Sequence, residues 1–189
     1  MWRIRLMSGS PGSCGRPSWC CCRLRTATPS RISWLSWRNL LSPPPSVAYV
    51  PEGDRRRGDL ACALASAAGI VLDEWQQLAL SAGLDRRGDH WSAFEVGIIV
   101  PRQNGKTFLL AIREIAGILL FGERLVIHSA HEWRTVSEQF VATVALIEGS
   151  PLRKYLKSVR RTGGEESITF INGGRLRFMN RSRESARGF

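Results

Sequence analysis

Three consecutive residues in the middle of the chain, Gly105-Lys106-Thr107, have the types and the order needed to hold a phosphate group. A glycine lets backbone N–H groups come close to an anion, and the positive end of a following helix attracts it. The lysine ammonium would then lie beside the β and γ phosphates of a nucleotide, and the threonine hydroxyl would be a ligand of Mg²⁺. These residues predict a nucleotide-binding loop.

The motif is only the second half of the full phosphate-binding loop (P-loop) pattern. The full pattern has another glycine with four residues between it and the Gly-Lys-Thr ending, and Val100 occupies that place. A polar strand-to-helix connection with a chance Gly-Lys-Thr is therefore the alternative at this point.

The segments on either side of the motif favour nucleotide binding. The apolar run 96–100 predicts a buried strand, Pro101 ends it, and 108–121 has the length and apolar character of a helix. A second apolar run, 125–130, predicts the next strand. Together they predict a β-α-β unit, because parallel strands of one sheet need a crossover of a dozen or more residues.

The remaining segments predict further α/β structure. A first helix is expected over 59–68, and a second over 74–82, capped by Asp73 and ended by Gly83. Apolar residues from Trp133 to Ile147 recur at helical spacing. The stretches 167–171 and 175–179 flank Asn172-Gly173-Gly174, which is a strong signal for a β-hairpin.

Size, charge and cysteine content limit the class of protein. A chain of 189 residues can bury one core plus a tail, and the net charge of +11 with a pI near 10.6 suits a polyanionic partner. No apolar run reaches the roughly 18 residues needed to cross a bilayer, because Arg113-Glu114 interrupts the longest one. Four of the five cysteines lie within 14–22 without zinc spacing, so a soluble protein of a reducing cytoplasm is expected.

Residues 1–57 differ from the rest in composition. They are rich in Ser, Pro, Arg, Trp and Cys, contain Pro43-Pro44-Pro45 and Arg55-Arg56-Arg57, and show no sustained period. We expect a disordered basic tail. Its tryptophans and cysteines are unusual for disorder, so a mis-assigned start or a wrong reading frame is one explanation. A basic nucleic-acid-binding arm is another.

Four stretches together resemble a known family. They are Trp75-Gln76, Val100-Pro-Arg-Gln-Asn-Gly-Lys-Thr107, His128-Ser-Ala-His131 and Arg181-Ser-Arg-Glu-Ser-Ala-Arg-Gly-Phe189. Over 59–189 the chain resembles the ATPase part of the large terminase subunit, the DNA-packaging motor of tailed bacteriophages. The Arg-Gln-Asn-Gly-Lys-Thr form is specific, because that family commonly replaces the first P-loop glycine and carries arginine in this loop.

The resemblance implies both a fold and a function. The fold is an α/β, RecA-like P-loop NTPase core, a parallel sheet with flanking helices, occupying 58–189 and incomplete here. The function is the coupling of ATP hydrolysis to the packaging of double-stranded viral DNA into the capsid. The implied partners are that DNA, the portal, the small terminase subunit and further copies in a ring, in the cytoplasm of the infected bacterial host and without a membrane.

The resemblance also assigns roles to individual residues. Gln76 would read the adenine edge of ATP, with Trp75 packed beside it. The loop residues would hold the phosphates, and Thr107 would bind Mg²⁺. These loop residues are Arg102, Gln103, Asn104, Gly105, Lys106 and Thr107. Arg102 would also be catalytic, because it would contact the γ phosphate and stabilise charge that develops in the transition state.

Each of these assignments has a structural alternative. Asp73-x-x-Gln76 is a variant of a helix capping box, Trp75 can be a core anchor, and Arg102 can be a solvated loop arginine. For His128 and His131 the spacing favours a hydrogen-bonded histidine near a strand end over a metal site.

The last residues leave two possibilities open. Arg181, Arg183 and Arg187 can contact DNA phosphate or a neighbouring subunit's nucleotide, or simply lie in an exposed loop. In the family, the Arg-Gly-Phe stretch is followed by a strand that ends in the acidic Walker B pair, and here the sequence stops at Phe189. The expectation is an amino-terminal fragment without Walker B and without the nuclease, which by itself does not hydrolyse ATP efficiently.

Two rival functions remain from the sequence. Another RecA-like ATPase, such as a superfamily 2 helicase, shares the adenine-reading glutamine, the P-loop and the strand that follows it. The second rival is a non-catalytic basic nucleic-acid-binding protein, and its only support is the net charge of +11. Nucleotide binding that depends on Lys106 would discriminate against this second rival.

Overall fold

The computed structural model describes residues 3–7, 47–101, 104–162 and 164–181. The helices and strands are β1 Arg3–Met7, β2 Val47–Tyr49, α1 Arg56–Ala67, α2 Glu74–Gly83, β3 Arg86–Arg87, β4 His90–Trp91, β5 Glu95–Ile99, α3 Lys106–Leu119, β6 Leu125–Ala130, α4 Trp133–Glu148, a 3₁₀ helix Pro151–Tyr155, β7 Leu156–Arg160, β8 Ser167–Phe170 and β9 Arg175–Asn180. The fold is mixed α/β. Two compact units share the chain: Met1–Gly58 with Asp73–Asn104, and Asp59–Leu72 with Gly105–Phe189.

The first unit contains a small sheet with the strand order β2-β1-β5. Strand β1 runs parallel to β2 and antiparallel to β5. A short hairpin is formed by β3 and β4, and the guanidinium groups of Arg57 and Arg86 stack over the Trp91 ring at 5.2 and 5.7 Å from its centroid. Within 1–57 the described residues form β1, β2 and the beginning of α1. Residues 8–46 lie outside the described residues, so the disordered tail stays a prediction.

The strand predicted over 96–100 exists as β5, but the prediction that it is buried is wrong. The exposed fraction is 38% for Val96 and 62% for Ile99. The physical reason is that β5 is an edge strand of a three-stranded sheet. An apolar run of strand length does not reveal whether the strand will be central or at an edge.

Helix α2 begins where the sequence predicts, with Asp73 as its N-cap. Asp73 has extended backbone angles, φ −63° and ψ 156°, and its N–H donates to Gln76 Oε1 at 2.9 Å. This hydrogen bond satisfies the backbone donor that precedes a helix, as in a capping box. The capping alternative for Gln76 is therefore confirmed.

The second unit contains a four-stranded sheet with the order β6-β9-β8-β7. Strand β6 is parallel to β9, while β9, β8 and β7 are joined antiparallel. The hairpin predicted around Asn172-Gly173-Gly174 is confirmed as β8 and β9, with Gly173 at φ +83°, a conformation that glycine adopts without strain. Strand β7 was not predicted, because its sequence, Leu-Lys-Ser-Val-Arg, lacks a clear alternation.

One face of this sheet carries the hydrophobic core of the second unit. Helices α3 and α4 and the residues after α1 pack on it, and Phe140 and Phe178 meet edge to face at 5.2 Å. The buried residues of the core are Ala68, Ile115, Ile118, Val136, Phe140, Val144, Ile147, Leu152, Ile168, Phe170, Leu176 and Phe178. The predicted helix over 133–147 is confirmed, since its apolar stripe faces this core.

The predicted β-α-β unit, with its two parallel strands in one sheet, differs from what is found. Strand β5 pairs with β1, whereas β6, which follows α3, pairs with β9. The six residues of β6 match the six of β9 in register, so that His128 lies beside Phe178. Sequence spacing shows that a crossover is long enough, but it does not choose the strand that pairs.

A buried carboxyl group gives this unit a pH-dependent contribution to stability. Glu166 is 8% exposed, its Oε2 has no hydrogen-bond partner within the described part of the chain, and burial raises the pKa of the Glu166 carboxyl above its usual value. Because the pKa of Glu166 is higher in the folded state than in the unfolded chain, the folded protein holds the carboxyl proton more tightly. The stabilisation that this proton gives is fully present below the unfolded pKa of about 4.3, and it is lost as the pH rises through the higher folded pKa.

We therefore predict that Glu166→Gln raises the melting temperature at pH 7 and has a smaller effect near pH 4. Thermal unfolding followed by circular dichroism at the two pH values measures this. The matched control is Glu165→Gln, which removes the same charge from a carboxylate that is 55% exposed. An equal change in melting temperature at both pH values would contradict the burial argument.

Candidate functional site

The residues of the predicted phosphate-binding motif lie at the beginning of α3. Gly105 is the N-cap, with φ +69° and ψ 16°, and its carbonyl accepts from the N–H groups of Phe108 and Leu109 at 3.2 and 3.3 Å. A residue with a side chain would be strained in this left-handed conformation. Lys106 and Thr107 consequently occupy the first turn, where a helix has no carbonyl partners of its own for its N–H groups.

A glutamine from α4 fixes this first turn. Gln139 is 7% exposed, and its Nε2 donates to the Thr107 carbonyl at 3.1 Å. The Thr143 hydroxyl, one turn further along α4, donates to the Gln139 carbonyl at 2.8 Å. The contact therefore ties the beginning of α3 to the middle of α4 through a buried polar side chain.

In the first unit, Gln76 contacts the loop that leads to α3. Its Nε2 donates to the Asn104 carbonyl at 3.4 Å, while its Oε1 accepts from the Asp73 N–H. The Asn104 side chain donates to the Pro101 carbonyl at 3.3 Å. Both ends of the Gln76 amide are therefore used within the protein, and the side chain is only 5% exposed.

Trp75 lies beside Gln76 on α2 and is 7% exposed. Its burial matches the core-anchor alternative, because an indole of this size contributes mainly through the apolar area that it removes from water. Its assignment to adenine binding is not tested and stays a prediction from the resemblance.

A buried polar pair joins α3 to β6. The Nδ1 of His128 is 2.7 Å from Glu114 Oε1, and the two residues are 8% and 6% exposed. The imidazole also packs against the Phe178 ring, with 5.3 Å between centroids. His128 is therefore a hydrogen-bonded histidine near the end of a strand, as its spacing in the sequence favoured. His131 is exposed.

The sequence pattern did not predict two buried polar residues that hold α3 in place, Glu114 and Gln139. Glu114 follows Thr107 by seven residues, so both lie on nearly the same side of α3. Together with Arg113, Glu114 interrupts the apolar part of α3, and a carboxylate at a core position was the available signal. Gln139 gave no signal, because a polar residue inside an amphipathic helix is ordinary.

Two of the predicted site residues, Arg102 and Gln103, lie outside the described residues. No family model, curated protein or solved structure matches this chain. Within the part that the structure describes, no cluster of three or more His, Cys, Asp or Glu side chains has a metal-binding arrangement. In the same ranges, no helix is both long and apolar enough to cross a membrane.

Proposed function

We propose that this chain is the ATP-binding part of a terminase-type DNA-packaging motor with a RecA-like P-loop core. The observation that carries the proposal is the geometry of Gly105, whose left-handed conformation begins α3 directly before Lys106 and Thr107. Phosphate-binding loops of the P-loop type combine a glycine, a helix start, a cation and a hydroxyl in this order.

Each residue has a distinct part in the proposed site. Lys106 would neutralise the phosphates of ATP, and the Thr107 hydroxyl would be a ligand of Mg²⁺. Arg102 would stabilise negative charge that develops on the transferred phosphate. Gln139 is a positioning residue in this scheme, because it holds the Thr107 backbone without reaching the reacting atoms.

Double-stranded DNA is the proposed polymer on which the motor acts. The net charge of +11 supports a polyphosphate partner, since each lysine or arginine that meets a phosphate releases a condensed counterion. The other proposed partners are the portal, the small terminase subunit and further copies of the same chain.

Nucleotide binding by the full 189-residue chain tests this proposal. We expect a non-hydrolysable ATP analogue to bind in the presence of Mg²⁺, and Lys106→Ala to weaken it about tenfold or more, because a hydrogen bond to a charged group contributes about 1.5–3 kcal/mol. Isothermal titration calorimetry with and without Mg²⁺ measures both effects.

The matched control is Lys154→Ala, which removes the same charge from a lysine stacked on Tyr155 at 5.0 Å. It is expected to bind the analogue as the parent chain does. Absence of Mg²⁺-dependent binding in the parent, or equal weakening in both variants, would instead favour a non-catalytic basic nucleic-acid-binding protein.

A further inference from the structure

The four-stranded sheet of the second unit has one face that none of the described helices of this unit covers. Side chains alternate along a strand, so residues next to the buried Leu176 and Phe178 point to the opposite side. We call this opposite side the open face. It consists of Leu125, Ile127 and Ser129 of β6, Arg175, Arg177 and Met179 of β9, Ser167 and Thr169 of β8, and Ser158 and Arg160 of β7.

Strand register arranges the arginines and hydroxyls of the open face in rows. Arg177 pairs with Ser167, which in turn pairs with Arg160. In the neighbouring row, Arg175 pairs with Thr169, which pairs with Ser158. Adjacent strands are about 4.8 Å apart, so each row sets its side chains side by side across the sheet. Ser167 in the first row is buried, so the accessible hydroxyl groups of the two rows are those of Ser158, which is exposed, and Thr169, which is half-buried.

The open face carries three arginines, Arg160, Arg175 and Arg177, and no acidic residue among its members. Arg160 and Arg175 are exposed, whereas Arg177 is half-buried. The exposed Glu165 pairs with Arg160 at 2.5 Å, while Glu166 is buried. The Arg160 side chain nevertheless remains 60% exposed.

We propose that the open face binds the phosphate backbone of duplex DNA. Arginine guanidinium and serine or threonine hydroxyl groups are the donors that contact phosphate oxygens. The proposal rests on the proposed function, which supplies duplex DNA as the partner, and adds the surface that DNA contacts.

The composition of the open face favours a duplex over a single strand. Proteins that bind single strands stack unpaired bases on aromatic rings, and the open face carries no aromatic side chain among its described residues. A duplex keeps its bases stacked on one another and presents only sugar and phosphate to a flat surface. The donors of the two rows match that presentation.

The test measures the salt dependence of binding between the full chain and a fluorescent duplex of about two helical turns by anisotropy. The double variant Arg175→Gln with Arg177→Gln is expected to weaken binding roughly ten- to hundredfold at about 0.1 M salt. It should also reduce the slope of log K against log salt by about 2, one for each phosphate that is no longer neutralised. All variants keep residues 1–57, so the basic tail contributes equally throughout.

Three further variants separate DNA contact from a general effect of charge or folding. The double variant Arg134→Gln with Arg153→Gln removes the same charge from exposed positions outside the open face. Its slope of log K against log salt should stay close to that of the parent chain. The double variant Arg175→Lys with Arg177→Lys should restore the slope that the glutamine variant loses, because lysine binds phosphate as a point charge. Glu165→Gln should tighten binding, since it releases Arg160 from its carboxylate partner.

Specific outcomes would overturn the proposal. Equal slopes for the open-face and control variants would show that DNA binds elsewhere. Tighter binding to vesicles that contain anionic lipid than to the duplex would identify a membrane surface instead. Binding of the ATP analogue separates this inference from the proposed function. The open-face variant should bind the analogue as the parent chain does. Lys106→Ala should bind the analogue weakly but keep the salt slope of DNA binding.

Discussion

Arg102→Ala is expected to lower ATP turnover about 10²-fold or more while changing the affinity for a non-hydrolysable ATP analogue little. The prediction applies to any protein in which the proposed ATP site is joined to the acidic residues of a Walker B strand. An interaction made only in the transition state affects kcat, because ground-state binding does not depend on it. Removal of one electrostatic stabiliser in comparable sites costs about 10²–10³ in kcat.

Comparison with Lys106→Ala makes this test sharper, because the two substitutions should differ in kind. In the proposed site Lys106 meets the phosphates of the bound nucleotide, so its removal should appear in the dissociation constant as well as in turnover. Arg102→Lys is the conservative control, and it should recover only part of the rate, since lysine lacks the planar fork of donors. Turnover by Arg102→Ala at the parent rate would show that the arginine has no catalytic role.

Glu114→Ala is expected to destabilise the protein by about 1–3 kcal/mol, the penalty for leaving a buried hydrogen-bonding group without its partner. The His128 ring would then be left buried without its hydrogen-bond partner at 2.7 Å. Chemical denaturation monitored by fluorescence gives the free energy of unfolding directly. Since Glu114 lies on α3 and His128 on β6, the change should loosen the packing of the helix that begins after Gly105.

A double variant distinguishes an unpaired buried histidine from a simple cavity. Glu114→Leu with His128→Leu replaces both members by apolar groups and should recover most of the stability that Glu114→Ala removes. The surface control is Arg113→Gln, which breaks the partly exposed pair with Glu123 and should cost less than about 1 kcal/mol. If Glu114→Ala costs no more than Arg113→Gln, the buried pair does not stabilise the fold.

The features that could be predicted from the sequence are those fixed by a few neighbouring residues. Asp73 and Gln76 specify the beginning of α2 by a hydrogen bond across three positions. Gly105 allows the left-handed turn that begins α3, and Asn172 closes the β8–β9 turn by accepting from the Gly174 N–H at 3.0 Å. These interactions are local, so the residue types alone are enough to indicate them.

The tertiary structure alone decided which strands pair and which polar groups meet. Strand β5 is at the edge of one sheet and β6 is paired with β9 in another, although both strands have ordinary apolar sequences. Glu114 finds His128 across 14 residues, and Gln139 finds Thr107 across 32. Such partners depend on the closure of long loops around a packed core, and hydrophobic periodicity reports only that a face is apolar, not what covers it.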